Sequence, residues 1–319
     1  MSINIKDQEA WVLSRIAYMD LKSTATEVLK KYKGKTLKEI ATELYVPVNS
    51  TTNKPIGPLN NFGEWGALSN TEQNEMLGDI IKGKYPHLSN LVLQDFTNQN
   101  DSNGLVAYAF CDKNNPQNKI FAFRGTEGSQ LTASGLRSTI GFVLKDYIDN
   151  YYTGTKRVSL QFDPAKDFVD KNMVDGTEIF VTGHSKGGGI ASYIASTRAG
   201  VQGKAFDGPG VGQCLTLAQK ATLSNNTSFV NYVHQYDRVG ALAFHPEARI
   251  YSKEKLGKDP GFATAHMMQS IQFDSNGNII PGDRSTLSKG WELVTKSIVF
   301  GNDISLVHPL GVLNDILNP

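Results

Sequence analysis

The amino-terminal part of the chain combines helical patterns with a polar, turn-rich stretch. Between residues 7 and 45 the apolar side chains recur at helical steps, as in Val12, Ile16 and Met19. This spacing predicts two or three helices, which would form either a cap or a support for a later sheet. Residues 48 to 66 contain two prolines and three glycines, and they predict a loop.

From residue 90 the pattern changes to alternating apolar positions. The segments LVLQDF, GLVAYAF and KIFAFRG are separated by polar turns and predict a meander of strands. Further predicted elements follow in this order: helices at about 137–152 and 158–172, a strand at 178–182, a helix, the strand GKAFDG, a helix at 211–222 and the strand SFVNYVHQYD. Strands that alternate with helices indicate an α/β fold, with a largely parallel sheet and helices on both faces.

We expect a single domain. Its predicted parts are N-terminal helices and a loop at 1–66, a core at 90–285 and C-terminal helices at 286–319. A chain of 319 residues, of which 39% are hydrophobic, can bury a full core of this kind.

Charge and cysteine content narrow the range of functions. Lys plus Arg number 32 against 31 Asp plus Glu, so the net charge of +1 gives no reason to expect a nucleic-acid partner. Cys111 and Cys214 are far apart and have no metal-ligand spacing, so we expect neither a disulfide framework nor a cysteine metal site.

The sequence also predicts the cellular location of the protein. Its first 20 residues lack the basic flank and apolar run of a secretory signal, and no stretch approaches the roughly 18 apolar residues of a spanning helix. We therefore expect a soluble protein that is cytoplasmic or exported by a leaderless route.

The most informative segment is IFVTGHSKGGGIASYIAS, residues 179 to 196. A short apolar run leads into Gly-x-Ser-x-Gly, with Ser185 between Gly183 and Gly187, and a helical pattern follows. This strand–turn–helix order is that of the nucleophile elbow of an α/β-hydrolase. Ser185 is therefore the candidate nucleophile, and the free N–H groups of the following helix would favour a developing oxyanion.

In α/β-hydrolases the nucleophile is followed along the chain by an acid and then by a histidine. Asp237 follows the apolar strand FVNYVHQYD, which would place it on the same rim of the sheet as Ser185. The alternative interpretation is that Asp237 caps the next segment or pairs with Arg238. Asp207, in AFDGPG, is the second candidate for the acid.

His266 is the candidate base because it follows Asp237 by 29 residues, just before a predicted strand, in a segment expected to lie over the cleft. The other histidines have simpler structural interpretations. His234 belongs to a predicted strand, His245 and His308 each precede a proline and look like packing residues or helix starts, and His87 lies before the sheet. A lone histidine is more often structural than catalytic, so the spacing leaves this assignment open.

An acyl-transfer site also needs oxyanion donors. The residue after the nucleophile, Lys186, supplies one N–H group. The segment FAFRGTEGS ends a predicted strand and offers Thr126 as the second donor, although a β-turn with a solvated threonine is the plainer interpretation of that segment alone.

Several of these segments together resemble a known family. FRGT, DYIDN (146–150), the VTGHSKGG elbow, AFDGPG and QYDRVG are similar to the lipase class 3 group of α/β-hydrolases. The spacing and the segment AHMMQSIQFDSNGN resemble most its bacterial Mbeg1-like branch. The resemblance spans roughly residues 8 to 285.

The resemblance implies roles for five residues. Ser185 would be the nucleophile, Asp237 the acid and His266 the base, with Thr126 and Lys186 as the oxyanion donors. It also implies hydrolysis of acyl esters in lipids at a membrane or micelle surface, without a metal or an organic cofactor.

Well-known class 3 lipases carry secretion signals and often disulfides, and we expect neither in this chain. We therefore expect a phospholipase of A1 type or a lysophospholipase rather than a triglyceride lipase. Three alternatives stay open: a small-ester esterase or thioesterase, a secreted bacterial toxin or effector of lipase type, and a non-catalytic binding module. Segments 127–137 and 239–265 are expected to cover the acyl pocket.

Overall fold

A computed structural model describes the chain over residues 3–19, 24–52, 54–60, 69–99, 104–125, 161–174, 176–253, 265–286, 288–290 and 292. Its helices are α1 (Asp7–Ile16), α2 (Ala25–Tyr32), α3 (Leu37–Leu44), α4 (Asn70–Ile81), α5 (Pro86–Ser89), α6 (Phe162–Lys171), α7 (Lys186–Thr197) and α8 (Leu217–Ser224). Four of them begin at a Ser or Thr whose side chain accepts the N–H group of the Glu or Gln three residues on, at Thr24, Thr36, Ser69 and Thr216. Local sequence therefore fixes where these helices start.

The centre of the fold is a sheet of seven strands. The strands are β1 (Leu91–Asn98), β2 (Val106–Asp112), β3 (Asn118–Phe123), β4 (Glu178–His184), β5 (Gln202–Phe206), β6 (Phe229–His234) and β7 (Ala248–Ser252), and they lie side by side in this order. β1, β2 and β3 pair antiparallel, whereas the pairs from β3 to β7 are parallel. The carboxyl ends of β3 to β7 therefore lie at one edge.

Both faces of the sheet are covered. In β3, Ile120 and Ala122 pack with the amino-terminal helices, while Phe121 and Phe123 pack with α6 and α7. The side chains of β4 divide in the same way, because successive residues of a strand point to opposite faces. The two hydrophobic cores thus lie on the two sides of one sheet.

These contacts confirm the predicted α/β fold with a mostly parallel sheet and helices on both faces. The early strands form the predicted meander, and the amino-terminal region forms three helices, α1 to α3. Helix α1 contacts β4 and β5 on the sheet face. It is therefore a support for the sheet rather than a cap above its edge.

Other predictions need correction. β7 lies within segment 239–265, which was expected to be a covering loop throughout. After His266, residues 271–279 contain only an isolated bridge between Phe273 and Ile279 rather than a strand. The helix predicted at 211–222 is divided into a 3-10 turn at Gly212–Cys214 and helix α8, and α4 was not predicted.

Some predictions fall on residues outside the described part. They are the helix at 137–152, the covering segment 127–137 and all but a few residues of the C-terminal helices at 286–319. Within the described part, none of the helices has both the length and the apolar character that crossing a bilayer requires.

Candidate active site

Ser185 occupies a strained turn between β4 and α7. Its backbone has φ 56° and ψ −129°, a region that residues with a Cβ atom seldom adopt. Its N–H group donates to the carbonyl of Phe206 at 2.9 Å, which ties the turn to the end of β5. The hydroxyl is thereby held where the strand ends and the helix begins, as a nucleophile elbow requires.

The two motif glycines allow neighbouring backbone segments to approach this turn. A Cβ atom on Gly183 would lie 2.4 Å from the carbonyl oxygen of Gly187, and one on Gly187 would lie 2.3 Å from that of Phe123. Both distances are shorter than any real contact of a Cβ atom. The Gly-x-Ser-x-Gly pattern therefore reflects close packing of β3, β4 and α7.

His266 and Asp237 complete an arrangement around the serine. The Nε2 atom of His266 lies 2.9 Å from the Oγ atom of Ser185, and its Nδ1 atom lies 3.1 Å from the Oδ1 atom of Asp237. A carboxylate can only accept, so Nδ1 carries the proton and Nε2 is left to accept one from the serine hydroxyl. The structure thus brings together the three residues that the sequence singled out as nucleophile, acid and base.

Asp237 is held in its ionised form. Burial opposes its charge, but the His266 ring and the N–H groups of Gly240 and Val239 more than compensate and hold the pKa of this carboxyl below its usual value. The two N–H groups donate at 2.6 and 3.1 Å. Asp237 therefore caps the following turn and contacts His266 at the same time, so these two interpretations are compatible.

Asp207, the second candidate for the acid, has a different role. It is fully buried after β5, and its Oδ1 atom accepts the backbone N–H group of His234 at 2.7 Å. Burial, and then the charge of Asp237, raise the pKa of the Asp207 carboxyl well above its usual value. A neutral carboxyl is a poor orienting partner for a base, and Asp237 is the residue that contacts the His266 ring.

The oxyanion residues are described in part. Lys186 begins α7 directly after Ser185, so its backbone lies where the first donor is expected. Thr126 lies outside the described residues. The preceding Gly125 packs against the elbow, since a Cβ atom there would lie 2.6 Å from the carbonyl oxygen of His184.

The remaining histidine candidates have other partners. The ring of His245 contacts Glu247 at 2.8 Å, and that of His87 contacts Glu9 at 2.8 Å. His234 is buried in β6, and His308 lies outside the described residues.

Two residues near the site were not singled out from the sequence. His184, which ends β4, has its Nε2 atom 2.9 Å from the carbonyl oxygen of His266, and its Nδ1 atom lies 3.0 Å from the hydroxyl of Tyr18. The position of His184 directly before the nucleophile was a signal that could have found it. Tyr18 gave no such signal, because its contact joins residues 166 positions apart.

Within the described residues, one group of side chains has metal-ligand types close together. Ligand atoms of His184, Asp207 and His266 lie within 4.8 Å of one another. Both ring nitrogens of each histidine already have hydrogen-bond partners in the contacts given above. A metal bound there would have to break those contacts.

The fold and the elbow define an α/β-hydrolase-type protein. The model of one family, described as Phospholipase-like: Tle-like phospholipase domain, matches residues 83–245. This match covers more than half of the 319 residues, so the chain belongs to the Tle-like phospholipase family and is a phospholipase-like ester hydrolase. The matched region contains Ser185 and Asp237 and ends before His266.

Among solved structures, the chain is similar to the Rhizomucor miehei lipase in a native propeptide complex, with 13% sequence identity and a TM-score of 0.34. That similarity covers 74% of this chain and 89% of the lipase chain. A search of curated proteins finds no match.

Proposed function

We propose that this protein is a serine phospholipase that cleaves a carboxylic ester of a phospholipid or lysophospholipid, with A1-type attack on diacyl substrates. One observation carries the proposal. The Nε2 atom of His266 lies 2.9 Å from the Ser185 hydroxyl while Asp237 contacts the opposite ring nitrogen. Membership of the phospholipase-like family supports the lipid substrate.

The first half of the proposed reaction acylates the serine. His266 Nε2 takes the hydroxyl proton as Ser185 Oγ bonds to the ester carbonyl carbon. The N–H groups of Lys186 and Thr126 stabilise the resulting oxyanion. The carbon–oxygen bond to the lyso-lipid then breaks, and His266 returns its proton to the departing alkoxide.

The second half releases the fatty acid. His266 takes a proton from a water molecule as that water attacks the acyl-enzyme, and the proton passes to Ser185 Oγ when the acyl bond breaks. Asp237 stays ionised throughout and stabilises the imidazolium, which agrees with its lowered pKa. These steps require no metal or organic cofactor.

The proposal includes two finer assignments. The first is that the amino-terminal helices and the core belong to a single domain, which is supported by the contacts of α1 with β4 and β5 and by the hydrogen bond from Trp11 to the carbonyl of Met268 at 2.9 Å. The second is a relationship to the Mbeg1-like branch, which is supported by the motif spacing and by the segment AHMMQSIQFDSNGN.

A substrate panel tests the substrate class. The purified protein is offered phosphatidylcholine with different acyl chains at its two positions, the matching lysophospholipid, a triglyceride, an acyl thioester and a short-chain ester. We expect release of the sn-1 acyl chain from the diacyl lipid, or release from the lysophospholipid. Release confined to the thioester or the short ester would replace the proposal with those activities, and no release from any of them would overturn it.

A further inference from the structure

The segment that carries His266 is held in place by the amino-terminal layer. His266 lies just before a short 3-10 turn at Met268–Ser270. Two side chains from outside this segment bind its backbone. Trp11 of α1 donates to the carbonyl of Met268 at 2.9 Å, and His184 lies 2.9 Å from the carbonyl of His266.

The hydrogen bonds around His184 have a defined direction. A carbonyl oxygen can only accept, so Nε2 of His184 donates to His266 and its Nδ1 atom is the acceptor in the neutral ring. The Tyr18 hydroxyl, 3.0 Å away, therefore donates to Nδ1. That hydroxyl in turn accepts a hydrogen bond from the backbone of Gly125. One directed series thus runs from Gly125 through Tyr18 and His184 to the backbone of His266.

The series is buried and uncharged. Tyr18 and His184 are 2% and 4% exposed. Burial, and then the neighbouring His266, lower the pKa of His184 to about 3, and burial raises the pKa of Tyr18 above its usual value. The rings of His184 and His266 have centroids 4.9 Å apart. A neutral His184 therefore adds no repulsion when His266 becomes an imidazolium.

The geometry points to Tyr18 and His184 as positioning residues that set the backbone of His266 and so aim its Nε2 atom at Ser185. This inference rests on the proposed serine mechanism, because it assigns how the base of that mechanism is placed. Neither residue contacts the nucleophile's hydroxyl through its own side chain. His184 acts through the carbonyl of His266, and Tyr18 acts by orienting His184.

The test measures how fast a fluorophosphonate labels Ser185, which depends on the base but not on the lipid. Tyr18→Phe removes only the hydroxyl that orients His184, and we expect it to slow labelling about 10- to 100-fold, since a displacement of about 1 Å at a reacting group can cost about 10²-fold. The matched control is Tyr232→Phe. The Tyr232 hydroxyl contacts Asp7 at the other end of α1 at 2.9 Å, so its loss weakens the same helix without touching the series.

A second pair of variants tests His184 itself. In His184→Gln the side-chain amide can still donate to the carbonyl of His266, whereas His184→Phe fills the space without a donor. We expect His184→Gln to label much faster than His184→Phe. NMR of the imidazole nitrogens provides an independent signature, because wild-type His184 should be a neutral ring protonated at Nε2 through the neutral pH range.

The outcomes separate the two claims. If the wild-type protein is labelled and Tyr18→Phe is labelled at the same rate, the positioning role is overturned and the proposed mechanism stays intact. The same conclusion follows if Tyr18→Phe and Tyr232→Phe are slowed equally. Equal labelling of the two His184 variants would also overturn it. If fluorophosphonate does not label wild-type Ser185, the serine mechanism fails and the inference falls with it.

Discussion

Two buried carboxyls beside the base have pKa values shifted in opposite directions. Burial opposes the charge of Asp237, but its contact with His266 and two backbone N–H groups lower its pKa, while burial and the charge of Asp237 raise the pKa of Asp207. A buried site accommodates one such charge beside an imidazole more readily than two. The residues therefore differ in function although both follow parallel strands.

Replacing each carboxyl by its amide tests this difference. Asp237→Asn removes the charge that orients and stabilises His266, so we expect kcat to fall about 10⁴-fold, as for the acid of a serine triad. Asp207→Asn keeps an oxygen that can accept the N–H group of His234 and should cause a far smaller loss. Equal losses in ester hydrolysis by the two variants would contradict the assignment of Asp237 as the acid.

Asp207 should also give a pH-dependent stability. A carboxyl whose pKa is raised in the folded state binds its proton more tightly there, so its contribution is present in acid and is lost as the pH rises through the raised pKa. Wild type should therefore lose stability relative to Asp207→Asn as the pH rises from about 4, near the ordinary carboxyl pKa, towards neutrality. Thermal melts at several pH values measure this difference. A difference in Tm that does not change with pH would show that Asp207 titrates normally.

The backbone of Ser185 predicts a stability difference at the nucleophile. Its positive φ is unfavourable for any side chain with a Cβ atom and acceptable for glycine. The two variants Ser185→Gly and Ser185→Ala both lack the nucleophile. The free energy of unfolding of Ser185→Gly should be about 1 kcal/mol higher than that of Ser185→Ala, once the entropy cost of glycine has been subtracted. Urea denaturation compares them. An alanine variant as stable as the glycine variant would show that the elbow is not strained.

At the scale of elements, the junction of β4 and α7 depends on glycine at one position and not at another. A Cβ atom on Gly187 would lie 2.3 Å from the Phe123 carbonyl oxygen, whereas the nearest atom to one on Gly189 would be 3.5 Å away. We expect Gly187→Ala to destabilise by about 2 kcal/mol or more through overpacking. Gly189→Ala, within the same helix, should stabilise by about 0.5–1 kcal/mol.

Chemical denaturation of this matched pair provides the check. The two changes add the same methyl group two residues apart, so only the surroundings differ. A stable Gly187→Ala protein would mean that β3 and α7 are farther apart than the structure has them.

The elements that sequence reasoning predicted are those with a local pattern. β4 and β6 consist of nearly continuous buried residues, and the amino-terminal helices have apolar residues at helical spacing. β7 was missed because four of its five residues are exposed or half-buried. Its place in the sheet is fixed by pairing with β6, which no local pattern shows.

At the scale of the whole molecule, the active site depends on both layers. α7 on one face presents the nucleophile, while α1 on the other face binds the segment that carries the base through Trp11. Ser185, Asp237 and His266 could be singled out as candidates because α/β-hydrolases have the nucleophile, the acid and the histidine in that order along the chain. The contact of Tyr18 with His184 could not, since it is a tertiary contact between residues far apart in sequence.

The central claim is that Ser185 is the nucleophile of a lipid ester hydrolase. Its most direct test is the rate of fatty-acid release from phospholipid by Ser185→Ala. Ser192→Ala is the matched control, because Ser192 is a buried serine of the same helix whose hydroxyl donates to the carbonyl of Gly188. Circular dichroism and thermal melting of both variants verify that each is folded. We predict that Ser185→Ala loses roughly 10⁶-fold in the rate of fatty-acid release and that Ser192→Ala releases fatty acid at close to the wild-type rate. A folded Ser185→Ala protein that keeps more than about a thousandth of the activity would contradict the claim.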